Sequence, residues 1–355
     1  MEVRAILEDI FFVILYGGVI MLNLVAALYL LLRRGNAIAP EVTSPVRLRR
    51  WAAAFLVACV LSHVFWLFYA YHPTPAVYAA VCGLDLLMLF PTITGVLLSM
   101  LQDRHRPIWP VLVMIVPPLV LLALCIIRGD DVLYLPISIY AIALYASILL
   151  YMYFAVRRYG RWLRDNYADL ENKEVWQSFL ILAVFLLFFV MYSSTTEARP
   201  VLVYLLQIDC IILVVLLLWR VETLQQLTEN TVQKAPEQPA IPTSIGPLLK
   251  QHCEDGHLYL QHDLTLAQLA QTIGTNRYYL SQYFAQQGIT YNAYINGLRI
   301  RHFVRLYREA VAGHRIITAR QLANESGFQS YSTFSATFKQ DMGTTVTAWM
   351  RSLEK

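Results

Sequence analysis

Long apolar runs separated by short polar stretches fill the first two thirds of the chain. Runs near 11–32, 51–70, 77–100, 110–127, 133–156, 177–192 and 201–219 each approach the roughly 20 residues a helix needs to cross a bilayer. The pattern predicts seven membrane-spanning helices. The sixth run is the shortest. Its apolar core extends only from Phe179 to Tyr192, a length that also suits a re-entrant piece.

Near the C-terminus the period changes to that of short amphipathic helices, and one pattern occurs twice. Thr265, Gln268, Leu269, Ala270 and Gly274 recur type for type as Thr318, Gln321, Leu322, Ala323 and Gly327. Each copy predicts a helix opened by a capping box, in which Thr caps the backbone and Gln reaches back from three residues on. Ala keeps the packing surface small, and Gly permits the positive φ of a tight turn. A second helix follows each turn, with apolar residues one turn apart: Leu280 and Phe284, then Phe334 and Phe338. These are two helix-turn-helix units in one short domain.

Basic residues orient the apolar part. Arg33, Arg34, Arg47, Arg49 and Arg50 follow the first run, and Arg104 and Arg106 follow the third. Arg157, Arg158, Arg161, Arg164 and Lys173 follow the fifth, and Arg220 the last. The alternate side carries Arg4, Arg128 and Arg199. The positive-inside rule then puts the N-terminus outside and the C-terminus in the cytoplasm, which requires an odd number of spans. The leader, with Glu2, Glu8 and Asp9 beside Arg4 and no small-residue cleavage site after the apolar run, does not read as a cleaved signal peptide.

Composition agrees with a membrane protein: 57% hydrophobic and 15% charged residues are not the balance of a soluble domain. Cys59, Cys82, Cys125 and Cys210 fall within apolar runs and Cys253 lies beyond them; without a CxxC or an external pair, neither a zinc site nor a disulfide framework is expected. His252, His257 and His262 are spaced by five and do not share a helical face. No phosphate-binding glycine loop or nucleophile elbow is present, so no cofactor, metal or catalytic set is expected. No Lys lies in an apolar run, which sets aside a retinal Schiff base.

At the C-terminus the residues carry a family likeness. Leu258-Tyr259-Leu260, Asp263-Leu264-Thr265-Leu266 and Leu269-Ala270 are followed by Tyr294-Ile295-Asn296 and Leu298-Arg299-Ile300. Ile317, Leu322-Ala323, Gly327-Phe328, Ser332, Phe334-Ser335, Phe338-Lys339 and Gly343-Thr344-Thr345 complete the pattern. Residues 244–355 resemble the DNA-binding domain of AraC-type transcription regulators. Two departures stand out. Val346 follows Thr345 where the family usually has Pro, and Ala336 stands where a basic residue is frequent.

The resemblance implies two recognition helices joined by a linking helix, entering successive major grooves of double-stranded DNA about 34 Å apart. By position Tyr278, Ser281 and Gln282, and then Tyr331, Ser332 and Ser335, face base edges. Gln282 is the best single candidate, since Gln binds adenine bidentately. Arg277, Arg299, Arg301 and Lys339 are assigned to phosphates. Leu269, Leu280, Phe284, Leu322, Phe334 and Phe338 are assigned to the core.

Polar residues inside the apolar runs are the candidates for sensing. His63, Asp85 and Asp209, with Asn23 near the midplane, are costly at such depth and are expected to face a bundle interior, a partner or a cavity. They either line a pocket open to the outside or form a hydrogen-bond network that holds the helices together.

The expected architecture is all-α: a seven-helix transmembrane bundle followed by a cytoplasmic tandem helix-turn-helix domain. Residues 1–220 form a sensor domain, 221–243 a helical extension with a Pro-rich linker, and 244–355 the DNA-binding domain. The expected function is that of a membrane-bound, non-enzymatic transcription regulator of the inner (cytoplasmic) membrane. Its expected partners are double-stranded DNA, the lipid bilayer, a small-molecule or membrane signal, and a second copy in a homodimer. The alternative is a transporter or ligand-binding membrane protein with a regulatory helix-turn-helix tail, against which the lack of an obvious inverted repeat speaks.

Overall fold

The computed structural model describes residues 9–33, 35–40, 42–130, 132–176, 178–179, 200–227, 245–315 and 317–353. Among them every regular element is a helix. The chain divides into two units: Met1–Tyr159 with Val175–Leu227, and Gly160–Glu174 with Thr228–Lys355.

The first unit contains α1 (Ile10–Leu32), α2 (Val46–Tyr71), α3 (Pro75–Met100), α4 (Trp109–Met114), α5 (Val116–Arg128), α6 (Tyr134–Asn166) up to Tyr159, and α7 (Pro200–Thr223). Asp9 caps α1 through its side chain, and Thr74 caps α3 ahead of Pro75 at the first helical position, where a missing N–H costs nothing. α2 packs on α1 and α3, α3 on α5, and α1 on α7. Six helical spans among the described residues are long and apolar enough to cross a membrane, with α4 and α5 counted together. Large apolar side chains point outward: Ile127 is 80% exposed and Leu32 77%. Water would penalise such a surface and lipid would not. The seventh expected run, 177–192, lies almost wholly outside the described residues.

Three boundaries differ from the periodicity. The fourth run is broken at Ile115, ahead of Pro117 and Pro118, because proline removes a helical donor and crowds the preceding turn. α6 continues through Arg157, Arg158, Arg161 and Arg164, residues expected in a loop. Of the helical extension expected from residue 221, Val221, Glu222 and Thr223 are helical and 224–227 are not. α7 ends at Thr223, and the next residues bond elsewhere. Gln226 N–H donates to Thr43 O at 2.7 Å. Leu227 N–H donates to Gln102 Oε1 at 2.8 Å, while Gln102 Nε2 donates to Gln225 O at 2.9 Å.

The second unit contains α8 (Ile245–Leu249) running into a π-helical turn (Lys250–Asp255), then α9 (Leu266–Thr272), α10 (Arg277–Gln286), α11 (Tyr291–Ala312), α12 (Ala319–Glu325), α13 (Tyr331–Met342) and α14 (Val346–Leu353). Two separate cores form. The first gathers Leu249, Cys253, Leu269, Leu280, Phe284, Tyr291 and Ile295, and the second gathers Phe303, Tyr307, Leu322, Phe328, Phe334, Phe338 and Trp349. α11 supplies its N-terminal half to one and its C-terminal half to the other. Burial of the Cys253 thiol in the first core pushes its pKa up to about 12, as expected of a packing residue.

Candidate nucleic-acid interface and sensor residues

Both copies of the repeated pattern fold alike. Thr265 Oγ1 accepts from Gln268 N at 3.2 Å, and Gln268 Oε1 accepts from Thr265 N at 2.8 Å. Thr318 and Gln321 make the same pair of bonds at 3.2 Å each. At the other end of α9, Gly274 has φ +73° and Thr275 N donates to Ala270 O at 2.9 Å. At the end of α12, Gly327 has φ +91° and Phe328 N donates to Ala323 O at 3.1 Å. This closure across a left-handed residue is the Schellman ending, and it turns the chain sharply into the second helix. Asn276 and Ser330 cap those second helices through their side chains. The reading of the sequence passed over both caps, although an Asn or Ser just ahead of each amphipathic run was the available signal.

α10 and α13 each bury one face. Leu280, Phe284, Phe334 and Phe338 are buried, as expected. On the opposite face of α10 Tyr278 is 64% exposed, and Gln282 Nε2 donates to its hydroxyl at 2.8 Å. Ser281 is half-buried. On α13 Ser332 is exposed, while Tyr331 and Ser335 are half-buried. The Tyr331 ring lies 5.6 Å from that of Phe334. Arg277, Arg301 and Lys339 are exposed.

Arg299 corrects an expectation. It is 1% exposed, and its guanidinium is spent inside the domain. Nε donates to Tyr259 O at 2.8 Å, and Nη2 donates to Gln261 O at 2.6 Å and to His262 O at 3.3 Å. The ring of Phe328 lies 5.7 Å below it. Burial lowers its pKa, yet a guanidinium stays charged in proteins. Arg299 therefore ties α11 to the segment before α9 and is not available to a phosphate.

Residues 269–352 match the family model described as a helix-turn-helix domain. The C-terminal segment is an AraC-type helix-turn-helix domain. Domains of this type bind DNA in transcription regulation, and here one shares a chain with helices apolar enough to span a membrane. No curated protein and no solved structure matches the chain.

In the first unit the expected polar residues separate. His63 Nε2 lies 3.3 Å from Gln207 Oε1 on α7, and its Nδ1 lies 2.7 Å from Cys59 O. Tyr16 on α1 donates to His63 O at 2.5 Å. His63 thus joins three helices, and Gln207, which the reading of the sequence did not single out, is its link to α7. Asp85 Oδ2 accepts from Trp66 Nε1 at 2.7 Å. Asn23 is buried and donates to Val19 O of its own helix at 2.8 Å. Asp209 is half-buried.

Sequence reading also missed Glu222, at the end of α7. It is 1% exposed and accepts from the Tyr29 hydroxyl, from Ala37 N at 2.8 Å and from Ile38 N at 2.7 Å. Asn36 Nδ2 donates to its backbone oxygen at 2.9 Å. The carboxylate fastens the end of α7 to the segment after α1.

Proposed function

We propose that this protein is a membrane-bound one-component transcription regulator, in which a signal sensed in or at the bilayer controls sequence-specific DNA binding. The observation that carries the reading is one chain holding both six candidate spans among the described residues and a paired helix-turn-helix domain whose first recognition helix carries Tyr278 and Gln282. In this reading Tyr278, Ser281, Gln282, Tyr331, Ser332 and Ser335 face base edges, and Arg277, Arg301 and Lys339 neutralise phosphates. The arginines that follow the first, third, fifth and last apolar runs support a cytoplasmic DNA-binding domain. His63, Asp85 and Asp209, with Asn23, are the candidate signal-responsive groups, because polar side chains at this depth are costly unless they serve packing or function. Dimerisation would extend contact over further grooves and raise affinity by making the second engagement intramolecular.

The test is genome-wide DNA occupancy by the full-length protein in its host, beside the Tyr278→Ala/Gln282→Ala double variant. Discrete sites that disappear in the variant are expected. Wild-type occupancy without discrete sites, under all growth conditions tried, would refute the reading.

A further inference from the structure

The segment directly after α6 belongs to the DNA-binding unit. Nothing in its local sequence announces this. Residues 165–174 carry Asp165, Asp169, Glu171 and Glu174 against Lys173, the composition of a solvated loop. Yet Ala168 is 1% exposed and lies in the first core beside Tyr291 and Ile295.

Its backbone is held at successive carbonyls. Asn292 Nδ2 donates to Tyr167 O at 3.1 Å and to Ala168 O at 2.6 Å, and Asn296 Nδ2 donates to Ala168 O at 3.0 Å. The two Asn side chains stand one turn apart on α11, so both reach the same short stretch. Asn296 is 4% exposed, and a buried amide left without this partner would be costly. Tyr167 forms an isolated antiparallel bridge with Thr265, the cap of α9. Burial raises the pKa of its hydroxyl, and the charge of Arg277 opposes that shift, so Arg277 lies within electrostatic reach. Asp169 Oδ1 accepts from Glu171 N at 3.0 Å, folding the segment back. Glu171 Oε2 then lies 3.5 Å from the Thr333 hydroxyl on α13. Within five residues, Tyr167, Ala168 and Glu171 thus touch the first helix-turn-helix unit, the linking helix and the second recognition helix.

We propose that residues 167–171 are an intramolecular latch that restrains DNA binding. The inference rests on the DNA-binding reading above. When docked, the latch places the Glu171 carboxylate beside Thr333 in the first turn of the second recognition helix, where approaching phosphates meet a like charge. It also joins the two helix-turn-helix units to one short tether. The latch begins at the residue after α6 ends, so it is joined directly to the chain of that apolar helix.

The test uses the full-length Tyr167→Cys/Thr265→Cys variant in phospholipid nanodiscs. Antiparallel partners bring their Cα atoms to about 4.5–5.5 Å, within the range a disulfide spans. The probe is the sheared host genomic fragment most enriched by the reduced variant. Oxidation is expected to form the cross-link and weaken retention of that fragment at least tenfold, with recovery in reductant. Thr265→Cys alone, which loses the cap but cannot cross-link, is expected to be insensitive to oxidation. Glu171→Gln, which touches neither core, is expected to raise retention at least threefold. A cross-linked protein that binds as well as the reduced one would overturn the latch, and so would two thiols that stay unpaired under oxidation. If neither the reduced variant nor Glu171→Gln enriches any fragment, the DNA-binding reading itself fails and the latch with it.

Discussion

Gly274 and Gly327 occupy equivalent positions in the repeat, yet replacing them with Ala is expected to have different consequences. At Gly274, with φ +73°, an added Cβ meets nothing within 4 Å. The cost is therefore that of a left-handed L-residue, about 1–2 kcal/mol, partly offset by about 0.4–1 kcal/mol from the stiffer unfolded chain. The net is roughly 1 kcal/mol, or about 4–8 °C for a domain of this size. At Gly327, with φ +91°, the Cβ would sit 2.9 Å from both Cα and O of Leu260 and 3.0 Å from Tyr259 O. These are backbone atoms, and Tyr259 O is held by Arg299 Nε at 2.8 Å, so they cannot swing aside. Overpacking adds about 1–3 kcal/mol, for a total near 2–4 kcal/mol and a shift of about 10–25 °C. The assay is pulse proteolysis of the full-length protein in detergent across a temperature ramp, following the C-terminal domain. Equal shifts for the two variants would refute the reasoning, because φ alone would then govern both sites.

Three further outcomes are expected. Arg299→Lys leaves the carbonyls of Tyr259 and Gln261 short of donors and is expected to cost about 2–4 kcal/mol of domain stability by thermal proteolysis; unchanged stability with weakened, more salt-sensitive DNA binding would instead return Arg299 to the phosphates. Burial, with Arg305 and His257 nearby, lowers the His302 pKa against the opposing charge of Glu309, and its Nδ1 lies 2.7 Å from the Tyr259 hydroxyl. Between the lowered folded value and the unfolded value near 6.5 the unfolded chain binds more protons, so the domain is expected to lose stability as pH falls below about 6.5; the loss should be smaller in His302→Gln, and an identical pH profile would refute the assignment. Glu222→Gln replaces a purely accepting carboxylate with an amide and is expected to raise backbone hydrogen exchange at Ala37, Ile38 and residues 224–227 at least tenfold; unaltered exchange would show that Glu222 is not what fastens the end of α7.

Much of the paired helix-turn-helix was legible because it is built from neighbours. Each capping box joins residues three apart, each Schellman turn closes over five, and Leu280 with Phe284 marks the buried side of α10 by helical period. Arg299 was misread although a signal existed. Tyr291, Ile295, Phe303 and Tyr307 recur every fourth residue, and Arg299 fills the middle of that buried stripe. Its charge suggested a phosphate contact, while its register placed it among carbonyls. The α6 boundary was misplaced for a related reason. Apolar content ends near residue 156, but arginines are good helix formers and carry the helix on to Asn166.

The all-helical class, the division into an apolar part and a paired helix-turn-helix part, the capping and turn chemistry, and the core of each recognition helix were all written in local sequence. These depend on run length, period and contacts between near neighbours, where chain connectivity already brings the groups together. Tertiary structure alone decided that Gln207 rather than Asp209 meets His63, that Glu222 fastens the end of α7, and that the segment after α6 enters the first helix-turn-helix core. The partners in these cases are far apart along the chain: 144 residues between His63 and Gln207, 185 between Ala37 and Glu222, and 128 between Ala168 and Asn296. At such separations many acceptors are chemically equivalent. Only packing, which buries one of them and leaves its donor no alternative in water, selects the pair.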